Sequence, residues 1–170
     1  MKYRIAVIIP YFGKFPEWMD LFLFSCYRNH ILPDDIVIDW IIFTDNDYFS
    51  KYSNVIFYKM SFNEYCNYVS DKLNIEFNPQ GPYKLCDLKP FYGIVHDNQL
   101  KEYTHWAFGD LDLCYGQLSI LLTGDRLKQY DLITTHADRV AGHFTVIRKK
   151  SKYTNLCFKI NNWKDRLKNN

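Results

Sequence analysis

Glycine-rich phosphate loops are missing from this chain. Neither GxGxxG nor GxxxxGK[ST] occurs, and only seven glycines are spread over its 170 residues. A nucleotide bound here would have to be gripped by basic side chains and a metal instead of a cradle of backbone amides. The five cysteines (Cys26, Cys66, Cys86, Cys114 and Cys157) form no CxxC pair. An odd, scattered set, mostly among apolar neighbours, argues against a zinc site or a disulfide framework and suits a reducing, cytoplasmic setting. GxSxG is absent too, so the sequence offers no nucleophile and base for a hydrolase. No stretch approaches the ~20 apolar residues that span a bilayer. The apolar run at the N-terminus stops at Pro10, without a signal-peptide cleavage site. These absences predict a soluble protein whose membrane contact is at most peripheral, at the inner face. A net charge of +2 with no long basic block argues against nucleic acid as a partner. Without repeats, low-complexity stretches or a linker, residues 1–170 read as one domain.

What the chain does have is apolar and aromatic mass: 48% hydrophobic residues, including 14 Tyr, 13 Phe and 4 Trp. That is enough for a core, and aromatics also line sugar- and base-binding clefts. Strands are expected over Arg4–Ile9, Val37–Thr44, Val55–Met60, the stretch ending at Gly109, Leu132–Thr135 and Phe144–Arg148. A first helix is expected from Glu17 to about Asn29, with Trp18, Leu21, Phe22, Phe24 and Ser25 as its apolar stripe. A second should start at the capping box Ser61/Glu64 and run to about Leu73. Tyr83 to Gln99 reads as helical with a break at Pro90. A helical piece near Gln117–Leu122 and a C-terminal helix over Ser151–Lys168 complete the pattern. Strands alternating with helices predict an α/β fold with a mostly parallel central sheet and helices on both faces.

The most informative stretch is His105-Trp106-Ala107-Phe108-Gly109-Asp110-Leu111-Asp112. Alternate residues of an extended chain share a face, at roughly 6.5–7 Å spacing, so Asp110 and Asp112 would point one way and Leu111 the other. Two acids at the end of a buried strand need a cation, and hard oxygen donors suit Mg²⁺ or Mn²⁺ with substrate phosphates completing the shell. Exposed acids capping a turn would read the same way. Lys84, Lys89 and Arg139 are candidate partners for phosphate, although Lys84 and Asp87 are spaced as a surface ion pair. Tyr11 and Phe12 sit where a base or sugar would stack, or where a hydrophobic lid would close the sheet edge. His136 and His143 flank a segment at a strand end, as ligands or as structural residues. Ligands in such sheets bind beyond the carboxyl ends of strands, and Pro10–Gly13, Asp45–Asp47 and Asp110/Asp112 would line one such edge.

Taken in order, Pro10-Tyr11-Phe12-Gly13, Phe43-Thr44-Asp45, Lys84-Leu85-Cys86-Asp87-Leu88-Lys89-Pro90-Phe91-Tyr92-Gly93, Gly109-Asp110-Leu111-Asp112 and Ala141-Gly142-His143-Phe144 resemble the GT-A-fold glycosyltransferases. The likeness is to the small bacterial capsular or lipopolysaccharide sugar transferases with a KxxDxKPxxG segment before DxD, and it covers nearly the whole chain. It implies a Rossmann-like GT-A sandwich, a nucleotide-sugar donor (a UDP-sugar favoured) and a saccharide or lipid-linked acceptor. It further implies that Tyr11 and the backbone near Pro10 meet the base and that Asp45 lies by the base or ribose. Asp110 would bind ribose and metal, Asp112 the metal, Asp87 would sit near the donor sugar, and the segment around Gly142 and His143 would face the donor sugar or the acceptor. Two departures stand out. Phe108-Gly109 replaces the usual Gly-Gly-x-Tyr lead-in, and the chain stops soon after its last strand, as a truncated form would. A non-catalytic module that binds a nucleotide or partner, or a sugar-phosphate nucleotidyltransferase, are the alternative expectations.

Overall fold

The computed structural model describes residues 2–48 and 50–168. Its frame is a sheet whose first and longest strands carry the most continuous apolar runs. Strand β1 is Tyr3–Pro10 and, after helix α1 (Met19–Arg28) and the short β2 (Ile31–Leu32), β3 is Ile36–Thr44. All nine residues of β3 are buried, as expected of a strand covered on both faces. Strand β4 (Val55–Lys59) leads to helix α2 (Phe62–Leu73). There Ser61 Oγ accepts from the Glu64 amide and Glu64 reaches back to the Ser61 amide, the capping box the sequence predicts. A 3₁₀ segment, Pro82–Phe91, runs into the single turn α3 (Tyr92–Val95) and then β5 (His105–Gly109). The remainder comprises a 3₁₀ turn at Leu118–Ile120, α4 (Gly124–Gln129), β6 (Leu132–Thr134), β7 (Phe144–Arg148), a 3₁₀ segment Lys152–Lys159 and α5 (Trp163–Lys168).

Among the described residues seven strands join in the order β2-β3-β1-β5-β7-β6, with β4 also pairing with β3. The half built from β4, β3, β1 and β5 is parallel, whereas β2–β3, β5–β7 and β6–β7 are antiparallel. The fold is thus α/β with a mixed sheet, in place of the mostly parallel one expected. The reason lies in connection length: only residues 135–143 separate β6 from β7, too few for the dozen or more residues of a parallel crossover.

Alternation along the strands divides the core between the two faces. Ile5, Val7, Ile9, Ile38, Trp40 and Ile42 pack with Met19, Phe22, Leu23 and Cys26 of α1. Ala6, Ile8, Ile41 and Phe43 pack with Tyr65 and Val69 of α2, with Tyr92 and Val95 of α3 and with Leu167 of α5. Helices cover both faces, as expected.

Several boundaries differ from expectation. Helix α1 buries Met19, Phe22, Leu23, Ser25 and Cys26, while Trp18, Leu21 and Phe24 of the expected stripe are 52%, 55% and 47% exposed. The helix is apolar on both sides, so periodicity alone could not choose the inner one. Pro90 falls within the 3₁₀ segment, and the expected helix over Tyr83–Gln99 divides into that segment and the short α3. The expected C-terminal helix breaks between Ile160 and Asn162, where Asn162 takes φ 55°. Strand β2 and helix α4, the latter capped by Thr123 accepting from the Arg126 amide, were not foreseen because both are too short to carry a period. Among the described residues no helix is long and apolar enough to cross a membrane.

Candidate functional site

The carboxyl ends of β1 and β5 are neighbours, because the parallel register pairs Ile8 with Phe108. The chain beyond each strand therefore opens into one cleft, as the general rule for such sheets leads one to expect. It has a volume of about 450 Å³, and Pro10, Tyr11, Lys89, Asp110 and Asp112 are among its lining residues. The 3₁₀ segment Pro82–Phe91 contributes Pro82, Tyr83, Leu85, Cys86 and Lys89 to its lining.

Strand β5 ends at Gly109, so Asp110 and Asp112 sit on the turn that follows it and not within an extended strand. Leu111 is buried between them and anchors that turn to the core, as expected of the residue pointing away. Asp112 is exposed, and Asp110 is half-buried with its side chain 33% accessible. The turn is pinned from three sides. The Asp110 amide donates to the His143 carbonyl (3.2 Å), the Tyr115 hydroxyl donates to the Asp110 carbonyl (3.3 Å), and Lys89 Nζ donates to Asp110 Oδ1. Lys89 also donates to the Gly142 carbonyl at 2.9 Å. Antiparallel β7 explains how residues this late in the chain arrive here: Phe144 pairs with Gly109, so the chain enters the sheet beside the acids. Burial, with Cys26 and Asp110 nearby, pushes the Tyr115 phenol well above its ordinary range and keeps it a donor.

A second constraint holds the loop after β1. Asp45 Oδ1 accepts from the Gly13 amide (2.9 Å), and Asn46 Nδ2 donates to the Gly13 carbonyl (2.6 Å) and to Thr44 Oγ1 (2.9 Å). Gly13 takes φ 100°, a conformation that favours glycine. Tyr11, tilted against Phe15, is thereby presented at the cleft.

The structure thus gathers Pro10, Tyr11, Lys89, Asp110 and Asp112 in the cleft, with Asp45 acting from behind through Gly13 and His143 beside Asp110 through its backbone. The His143 ring turns away, its Nε2 2.8 Å from Thr135 Oγ1 and its ring 5.2 Å from that of His136. Other candidates lie outside. Lys84 binds Asp87 (3.0 Å) and the Arg166 carbonyl (2.8 Å), tying the 3₁₀ wall to α5. Asp87 lines a separate groove with Trp163 and Arg166. Arg139 pairs with Asp138 on the surface. Phe12, by contrast, does line the cleft, but it is 6% exposed and in contact with Phe62 and Tyr65, so its ring serves as the hydrophobic lid.

Sequence reading missed Tyr83, which is 91% exposed and lines the cleft together with Tyr11. The available signal was an aromatic residue placed directly after the Asn78–Pro82 loop, where no core needs it. Gly142 belongs to the segment that the resemblance places at the sugar, but its hold on Lys89 is through a backbone carbonyl, which leaves no side-chain signature.

The donor set suits a hard divalent cation that arrives with phosphates and keeps waters, since two carboxylates adjoin on one turn. Among the described residues no group of three or more His, Cys, Asp or Glu forms a ready-made metal cage. A family model described as a family of unknown function matches residues 7–169, most of the chain. No match was found among curated proteins. By the extent of that first match, the chain belongs to the family of unknown function DUF6625.

Proposed function

We propose that the cleft binds a nucleotide-diphosphate sugar, and that the protein is a metal-dependent GT-A-type glycosyltransferase acting on a saccharide or lipid-linked acceptor in surface polysaccharide synthesis. One observation carries this reading: two carboxylates, a lysine and two accessible tyrosines converge on a single cleft beyond the carboxyl ends of parallel strands. Tyr11 and Tyr83 both line the cleft, and their rings are suited to contact a base or sugar ring. Asp110 and Asp112 would hold Mg²⁺ or Mn²⁺, which when bound neutralises the leaving diphosphate. Lys89 supplies a further positive charge beside those phosphates. The Gly142–His143 chain, adjacent to Asp110, would border the sugar. A hydroxyl of the acceptor attacks C1 of the donor as the diphosphate leaves, and an inverting route would need a general base to take the proton.

A second reading is a non-catalytic nucleotide- or partner-binding module. The pairing of Asp87 with Lys84 favours it, because the carboxylate expected near the sugar is engaged outside the cleft. Donor hydrolysis separates the two. A transferase releases nucleotide slowly from one of a panel of UDP- and GDP-sugars in a Mn²⁺-dependent manner. A pure binder shows thermal stabilisation by the nucleotide with no release.

A further inference from the structure

Two acids side by side invite a cation, and in this fold one of them already has one. Lys89 is 14% exposed at its side chain, its ammonium lying on Asp110 Oδ1 and on the Gly142 carbonyl. Asp112, two residues on, is exposed and makes no ion pair among the described residues. A lysine carries a compact charge on a flexible stem with three donors, so it can leave one acceptor while keeping another.

Resting on the reading above, we propose that Lys89 is a positioning residue that makes metal and diphosphate bind as a pair. With the cleft empty, its ammonium neutralises Asp110 and holds the turn against the Gly142 chain. A divalent cation alone then meets only Asp112 freely and must displace Lys89 to reach Asp110. When diphosphate arrives with the cation, the cation takes Asp110, and Lys89 pivots on the Gly142 carbonyl to the phosphate oxygens. The displaced ammonium loses one anionic partner and gains another, so displacement costs little only when both ligands are present. Each ligand therefore raises the affinity of the other, and by the same factor. No bond is made or broken, and charge is conserved at each stage.

The structure separates this role from simple charge support. A lysine that merely added positive potential would weaken the binding of a cation and strengthen that of an anion independently. A lysine seated on a metal-ligand oxygen couples the two. It also predicts a gain on mutation, which a purely structural residue would not give.

The test is calorimetry of Mn²⁺ alone, UDP alone, and UDP at saturating Mn²⁺, on wild type, Lys89→Met and Lys89→Arg. In wild type, Mn²⁺ alone binds weakly and UDP tightens it. In Lys89→Met, Mn²⁺ alone should bind about tenfold more tightly, UDP alone more weakly, and the mutual enhancement should fall about tenfold, the scale of one charge-assisted contact. Lys89→Arg keeps the charge and should retain the coupling. Should the methionine variant fail to fold, Lys89→Gln keeps a donor for the Gly142 carbonyl without the charge and carries the same reading. Unchanged Mn²⁺ affinity and unchanged coupling in a folded, uncharged variant would overturn the role of Lys89 alone. Wild type that binds neither UDP nor GDP, with or without Mn²⁺, would instead refute the nucleotide-sugar reading.

Discussion

Gly109 and the Tyr115 hydroxyl occupy adjoining space: a Cβ built on Gly109 would overlap that oxygen, and Val7 Cγ1 stands 3.3 Å away on the other side. The glycine before the acids therefore makes room for the tyrosine whose hydroxyl binds the Asp110 carbonyl. The close approach is internal to the fold. Gly109→Ala should destabilise by about 1–3 kcal/mol, the usual cost of overpacking, and should weaken UDP–Mn²⁺ binding through the displaced turn. Urea unfolding together with calorimetry measures both effects, and native stability in the alanine variant would refute the contact.

The Tyr11–Pro16 loop depends on a carboxylate that does not touch the cleft. Asp45→Ala removes the acceptor for the Gly13 amide, at a stability cost of about 1 kcal/mol for an exposed hydrogen bond. Its larger effect should be on UDP affinity, because the loop that presents Tyr11 loses a tether. Equal UDP affinity in wild type and variant would show that the loop is held by other means.

Tyr83 offers an accessible ring in the cleft that Tyr11 also lines. Tyr83→Ala should leave the urea midpoint unchanged, since the side chain is almost wholly exposed. It should weaken UDP binding roughly tenfold, within the range found for base–aromatic stacking. Uridine binding by fluorescence or calorimetry distinguishes base from phosphate contacts, and unaltered uridine affinity would place the base elsewhere.

Two buried histidines set an acid limb. Burial lowers His96 from 6.5 to about 3 and His105 from 6.5 to about 4, with Lys72 and Arg148 respectively adding to the effect. His96 Nε2 lies 3.0 Å from the Tyr65 hydroxyl, and its ring stacks on Phe43. Both histidines are neutral in the folded state, so below 6.5 the unfolded chain binds the extra protons. Stability should be flat above that pH and fall below it, by roughly 1.4 kcal/mol per pH unit per histidine at the steepest, until the folded values are reached. Unfolding free energies at about pH 7 and about pH 5 measure the slope, and His105→Gln should reduce it. Equal free energies at the two pH values would contradict this account.

Much of the fold was legible because burial on both faces forces continuous apolar strands: β1, β3 and β5 announce themselves, and Ser61/Glu64 marks α2 through a local hydrogen-bond pattern. The strand direction of β7 was not legible, because it follows from loop length and pairing and not from any residue type. The face of α1 was misassigned because Trp18, Leu21 and Phe24 are as apolar as the residues buried opposite them. At the site, the acids, Tyr11 and Lys89 could be named from residue chemistry and order. The Lys84–Asp87 pair was foreseen only as an alternative, and its anchorage on the Arg166 carbonyl is a tertiary contact that no spacing encodes. The hold of Lys89 on Asp110 and Gly142 is tertiary in the same way: it needs the 3₁₀ wall and β7 to meet across the sheet end.

The central claim rests on Asp112, which is exposed and unpaired among the described residues, so its replacement disturbs little else. Calorimetric titration of UDP in the presence of Mn²⁺, comparing wild type with Asp112→Asn, tests it most directly. Wild type should bind clearly, and the variant should lose binding while unfolding at the wild-type urea concentration. UDP–Mn²⁺ affinity that is the same in both proteins would contradict it.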